Sequence, residues 1–542
     1  MTMTSTDPTA DVGNAAHEVA EHGAGAQPTV RPYAAPTGLA AWLTTTDHKR
    51  IGRMYAGFAL LFALGALVIG ALLAADRIDD SAAFLRLHSV GQFLALYRFV
   101  LAFGVVVPLL LGIGIAIVPL QIGAQGIAFP RAAALSFWGW LMGTGLMIGA
   151  IASDGGPGGV HPRAVDLFLA SLALLVASLI VGCICLVTTV LTLRPPGMRL
   201  ERVPAFTWSI FVTASILLLS LPVLLAAVVL LAVDNRYGQV AFQGSGGIAG
   251  ILDWAVSQPQ TFLYAVPALG FVADVIPTFT KTRLQLRPVV FVGIALAAIL
   301  GFGADVQTAF NGEVHHQFLF LAGGLALVLP VLIVLGASAL SLRQGKVTAG
   351  APLVFAVLAA LVLLAGAAAG ALSGWRGLNL DGTVYGFGQS NLVLGAGLVA
   401  GLGALVYWWP KLTGRALAGG LANLVALLAA GGAILLGGAD IVLGFAKQPF
   451  GEVNDLGTNL SSSFNTVSMI GYILLFVAVL AAVELMIMAS RKGGAAGDDP
   501  WDGQTLEWAT TSPPADVNFP EPVGAVTSAE PLLDLKLAGK DA

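Results

Sequence analysis

Residues 384–415 read VYGFGQSNLVLGAGLVAGLGALVYWWPKLTGR, and the fold turns on them. Between Leu392 and Trp409 the chain is apolar over the length a helix needs to cross a bilayer, roughly 20 residues. The run stops as a membrane helix stops. Trp408 and Trp409 suit the headgroup level, Pro410 cannot continue the helix, and Lys411 and Arg415 belong to the aqueous loop. Composition agrees: hydrophobic residues make up 57% and charged residues 10% of the 542, with a mean hydropathy of +0.86. A soluble domain carries about a quarter charged residues. The chain is therefore expected to be an all-α integral membrane protein.

Apolar windows of about twenty residues predict a bundle of about twelve transmembrane helices, centred near 65, 106, 142, 180, 220, 271, 296, 328, 362, 400, 428 and 477. Residues 1–40 lack an apolar core and a basic start, so they read as a disordered cytoplasmic tail and not as a signal peptide. Residues 41–492 form the membrane domain, and 493–542 a cytoplasmic C-terminal tail. With an even number of spans both termini share one side. Loops assigned to that side hold most of the basic residues, among them Arg50, Arg131, Arg199, Lys281, Lys411 and Lys492, which makes it the cytoplasmic side. The net charge of -4 points to no nucleic-acid partner. Cys183 and Cys185, at i and i+2 of one apolar segment, point to different helix faces and read as packing residues.

Five phrases carry a resemblance: TTTDHKRIGRMY (44–55), VPLQIGAQGIAFPRAAALSFWGW (118–140), LRPPGMRLERVPAFTWS (193–209), WWPKLTGR (408–415) and DPWDGQTLEWATTSPPADVNFPEP (499–522). They resemble subunit I of the haem-copper oxidases, the family of cytochrome c oxidase, over about 41–522. The resemblance implies six membrane histidines, two on a low-spin haem, one on a high-spin haem and three on copper; imidazole suits both metals. The chain has seven histidines in all. His17 and His22 fall in the N-terminal tail, His48 in the first phrase and His161 in an outer loop, which leaves His88, His315 and His316.

Residue by residue, the family's ligand positions hold other side chains. The positions matching haem ligands are Tyr97, Gly388 and Ser390; those matching copper ligands are Gln258, Gln307 and Thr308. The His-Pro-Glu-x-Tyr of helix six stands here as Gln258-Pro259-Gln260-Thr261-Phe262, without the acidic relay or the cross-linked tyrosine. Proton-path positions read Ile115, Gly126 and Val334, and the arginine pair that holds haem propionates reads Lys447-Gln448. His315-His316 lies too near Pro330 to match the copper pair and reads as a solvated or capping pair; His88 reads as an interfacial residue. Polar residues in or near the spans are Arg98, Asp274, Asp305, Asp440 and Glu484. Arg98 either fills a former haem site as a pair with Asp305 or snorkels to the interface, and the second reading is favoured.

No catalytic residue, haem or copper is expected. The leading expectation is a non-catalytic scaffold or assembly partner in a respiratory complex of the bacterial plasma membrane, in contact with lipid and other subunits. An active oxidase with unorthodox ligands would require haem and copper. A quinone-binding or carrier protein reusing the emptied cavity would require a continuous polar path.

Overall fold

The computed structural model describes residues 37–79, 85, 87–238, 247–303, 316–450 and 458–538. Among these the regular structure is helical, with two isolated bridges, Thr383 to Pro449 and Arg415 to Ala495. The chain divides into two units. The first ends at Thr45 and contributes a short helix, Gly38–Leu43. The second holds α1 (His48–Asp76), α2 (Ser89–Gln121), α3 (Pro130–Ala152), α4 (Pro162–Thr192), α5 (Ala205–Tyr237) and α6 (Gln260–Thr280). It continues through α7 (Arg287–Leu300), α8 (His316–Gln344), α9 (Ala351–Ser373), α10 (Tyr385–Thr413), α11 (Gly419–Phe445) and α12 (Asn459–Lys492). Each expected centre falls inside one of the twelve. Eleven are long and apolar enough to cross a membrane. The seventh, α7, has 14 residues; at about 1.5 Å per residue it falls short of a hydrocarbon core of about 30 Å.

Local chemistry sets the helix ends. Proline stands in the first turn of α3, α4, α7 and α9, where its missing N–H has no partner to lose. Asp47 and Thr458 cap α1 and α12 by accepting backbone N–H bonds. Gly238 and Gly414 close α5 and α10 in the left-handed conformation. Within α2, residues Val100–Val106 form a π-helical stretch just ahead of Pro108, which cannot donate a backbone bond.

The centre of the bundle is α2, α6 and α10. Their apolar windows are 100%, 94% and 94% buried, against 33–56% for the other long spans. Those outer helices turn one face to the bundle and one outward. Lipid supplies no hydrophobic drive between helices, so close contact depends on small residues, and the chain has 67 glycines.

Residues 493–538 run across one end of the bundle. A short turn, Leu506–Ala509, and a helix, α13 (Pro531–Ala538), are tied to the helix ends. Lys49 Nζ donates to Asn518 Oδ1 (3.1 Å), Trp501 Nε1 to the Tyr407 carbonyl (2.8 Å) and Lys411 Nζ to the Thr510 carbonyl (2.6 Å). Arg287 bonds Glu530 (3.2 Å). The start of α1 and the C-terminal segment thus lie at the same end, as an even number of crossings requires.

Candidate functional site

At the end of the bundle away from the C-terminal segment, α2, α10 and α12 meet around Tyr97. Its hydroxyl donates to Asn391 Oδ1 (2.9 Å), and Asn391 Nδ2 donates to the Tyr472 hydroxyl (3.2 Å). The Tyr97 ring packs edge-on against Tyr472 (5.5 Å) and Phe387 (5.7 Å). All are buried. Two of the three expected haem-ligand positions adjoin this cluster. Ser390 is buried next to Asn391 in the chain, yet the α10 side chain that reaches Tyr97 is Asn391, one residue beyond it. Gly388 lies against α11: a β-carbon there would stand 2.7 Å from both Asp440 Cβ and the Gly437 carbonyl.

The copper-type positions begin at the start of α6. The Gln258 amide lies on Gly370 of α9, where an added β-carbon would come within 2.2 Å of its Nε2. Gln260 Nε2 donates to Ser220 Oγ (3.0 Å), and its Oε1 accepts from the Gly303 N–H (2.9 Å), tying α6 to α5 and to the end of α7. Phe262 is buried. Gln307, Thr308, Asp305 and His315 lie outside the described residues, as do His17 and His22. His88 lies in the helical turn that leads into α2, and His316 in the first turn of α8.

Arg98 pairs with a residue the sequence did not point to, Asp253. Its Nη1 bonds Asp253 Oδ1 (2.6 Å), its Nη2 bonds Ser257 Oγ (2.8 Å), and the guanidinium sits over Phe450 (5.3 Å). Lys447 Nζ donates to the carbonyls of Leu378 and Asn379. Gln448 is buried, with Oε1 accepting from Asn465 Nδ2 (3.4 Å). Asn465 Nδ2 also donates to the Arg77 carbonyl (2.8 Å), and Arg77 Nη2 bonds Asp440 Oδ1 (3.3 Å). Unpartnered polar atoms remain here, and each buried one costs about 1–3 kcal/mol.

A second polar network lies under the C-terminal segment. Asp274 of α6 accepts from the N–H groups of Ala205 (2.8 Å) and Phe206 (3.0 Å), capping α5 with a carboxylate. Gln121 Nε2 donates to Asp274 Oδ2 and to Glu507 Oε1, both at 3.1 Å. Trp408 Nε1 also reaches Glu507 Oε1 (3.3 Å). Burial pushes the Glu507 carboxyl up to about 7; Asp274 adds to the rise, and hydrogen bonds from Thr505 and Gln121 oppose it. His48, in the same layer, has both ring nitrogens engaged, by the Ile115 carbonyl and Asn518 Oδ1, each at 3.0 Å. Val334 is buried on α8, Gly126 stands in open space, Glu484 is exposed on α12, and both cysteines are free and buried.

These residues do not fit haem. The position on α2 is a tyrosine whose hydroxyl already serves Asn391, and Gly388 has no room for a side chain unless α11 moves. Among the described residues no three His, Cys, Asp or Glu side chains converge as a metal set. Asn391, Tyr472, Arg77, Gln121 and Glu507 were missed at the level of sequence. One signal was readable: Gln389-Ser390-Asn391 is a polar triplet in an otherwise apolar run.

Comparison with known proteins places this geometry. The family model described as "Cytochrome C and Quinol oxidase polypeptide I" matches residues 50–483. A "Probable cytochrome c oxidase subunit 1-beta" of Nocardia farcinica is 30% identical, over 94% of this chain and 91% of that one. "Cytochrome c oxidase subunit 1" of Bacillus subtilis is 28% identical, over 92% and 83%. The "Heme-copper oxidase subunit I+III" of Aeropyrum pernix is 27% identical, over 88% of this chain and 61% of that one. Among solved structures, a heme-copper terminal oxidase dimer matches with a TM-score of 0.67 at 15% identity, over 90% and 89% of the two chains. With its helix order, its loop motifs and its full-length match in agreement, the chain belongs to the cytochrome c and quinol oxidase polypeptide I family.

Proposed function

We propose that the chain is a non-catalytic member of its family, a scaffold or assembly partner in a respiratory complex that holds neither haem nor copper. The observation that carries this reading is the Tyr97–Asn391–Tyr472 hydrogen-bonded stack, which occupies the space between α2 and α10 where the resemblance puts a haem. Burying unfilled metal ligands is unfavourable, and here the positions carry groups that pair with one another instead. Gln260, at the place of the family's acid, is spent on Ser220 and Gly303. What the chain retains, the loop phrases and the C-terminal segment, is what sets shape and presents surface to other subunits. Similar proteins from Nocardia and Bacillus support a location in the bacterial plasma membrane.

The competing reading, an oxidase with unorthodox ligands, draws on the names those similar proteins bear. An absorption spectrum of the chain purified from its own membranes, oxidised and dithionite-reduced, separates the two when iron and copper are assayed on the same sample. The expected result is no Soret band, no stoichiometric metal, and membrane-protein partners that co-purify. A haem a-type spectrum with copper near one per chain overturns the proposal. Isolation of the chain always alone removes the scaffold role.

A further inference from the structure

Four residues at the end of the bundle away from the C-terminal segment form one contact chain. Asp440 of α11 meets Arg77 at the end of α1 (3.3 Å), Arg77 meets Asn465 of α12 through its carbonyl (2.8 Å), and Asn465 meets Gln448 (3.4 Å). Asp440, Gln448 and Asn465 are each 0% exposed. Every one of the four keeps a buried polar atom with no hydrogen-bond partner among the described residues: Arg77 Nε, Asp440 Oδ2, Gln448 Nε2 and Asn465 Oδ1. Asn391 and Ser468 lie against the Asp440 carboxyl without bonding that oxygen. Orphaned buried polar atoms are scarce in folded proteins, so four on one contact chain are a feature to be accounted for.

We propose that this quartet is a built internal site for small neutral molecules that both donate and accept hydrogen bonds, water in the cell. The inventory of orphans selects the ligand. Arg77 Nε and Gln448 Nε2 are donors, whereas Asp440 Oδ2 and Asn465 Oδ1 are acceptors. A cation satisfies only the acceptors and is repelled by Arg77. An anion satisfies only the donors and is repelled by Asp440. Because Arg77 and Asp440 are already paired, the site has no net charge with which to recruit either ion. Water bonds both kinds of atom, and a buried water needs two to four polar partners; the quartet carries four orphaned atoms, two of each kind. Such waters join α1, α11, α12 and the segment after α11 into one hydrogen-bonded unit. The inference rests on the haem-free reading, since Gln448 is one of the two positions where the resemblance puts propionate-holding arginines.

The test is a structure of the full chain in a lipid nanodisc at a resolution that shows ordered water, with Asn465→Leu and Asp440→Asn alongside. The expected result is at least one water within about 3.2 Å of Asp440 Oδ2 and of a second member of the quartet. Asn465→Leu should lose a water, and Asp440→Asn should keep its water, because an amide oxygen still accepts. Dry side chains repaired directly to one another, or density for a metal or anion, overturn this inference and leave the proposed function standing. Haem density against Gln448 overturns both. If neither variant folds, radiolytic hydroxyl labelling of the unaltered chain decides the matter. Tyr472, bonded to Asn391 beside Asp440, should be labelled several-fold above Tyr264, which is buried against the Ala255 carbonyl; equal labelling overturns the inference.

Discussion

Asn391 serves two tyrosine hydroxyls at once, through opposite ends of one amide. Replacing it by leucine removes the bridge between two buried hydroxyls and leaves them only each other, at a cost of about 1–3 kcal/mol for each bond left unmade. Tyr97→Phe takes a hydroxyl away with its need for a partner and orphans only Asn391 Oδ1. The thermal midpoint of the purified chain should therefore fall clearly further for Asn391→Leu than for Tyr97→Phe. Equal losses would mean that Asn391 does not bridge the two rings. The residue was visible in the sequence only in part. Its polarity in an apolar run stood out, yet ungapped counting back from Trp409-Pro410 points to Gly388 and Ser390, because counting carries no information about which face of α10 turns to α2.

At the scale of elements, the C-terminal segment holds the bundle through Glu507. The undocked carboxyl has its ordinary value of 4.5, and docking raises it to about 7, chiefly through burial. The sign follows from linkage. Below pH 4.5 the group is protonated in both states and docking has its full strength. Between pH 4.5 and 7 the undocked group ionises while the docked one must hold its proton, so docking weakens until the docked group ionises as well. At about 1.4 kcal/mol per unit the loss is on the order of 3 kcal/mol above pH 7. Protease susceptibility of residues 493–538 should therefore increase from pH 5 to pH 8. Glu507→Gln, which keeps an acceptor for Gln121 and Trp408 without a titrating proton, should flatten that profile. An unaltered profile in Glu507→Gln would assign the effect to another group. The same network ties in Asp274 and Gln121, so the segment and the ends of α2, α5 and α6 form one layer.

For the whole molecule, the contact between the start of α1 and Asn518 puts both ends of the helical bundle on one side. The excess of basic residues in its loops is the ground for expecting that side to be cytoplasmic. Reporters fused to either end, one active only in the cytoplasm and one only outside, should agree in reporting the cytoplasm. A split result would refute the twelve-crossing topology. The order and placement of the helices were legible in the sequence because a membrane helix satisfies its backbone within its own segment and announces itself by local apolarity, aromatics and breakers; the length of α7, too short among the described residues to cross, was not. The seven histidines were equally plain, but how many of them reach the interior depends on where the chain places them. Pairing was not legible. Tyr97 with Asn391, Gln121 with Glu507 and Arg98 with Asp253 are separated by 294, 386 and 155 positions. Their meeting depends on the rotation and depth of each helix, which long-range packing alone decides. Apolar periodicity and composition thus determined the bundle. Tertiary structure decided which polar side chains meet inside it, because a buried polar group takes its partner from whichever helix is packed beside it.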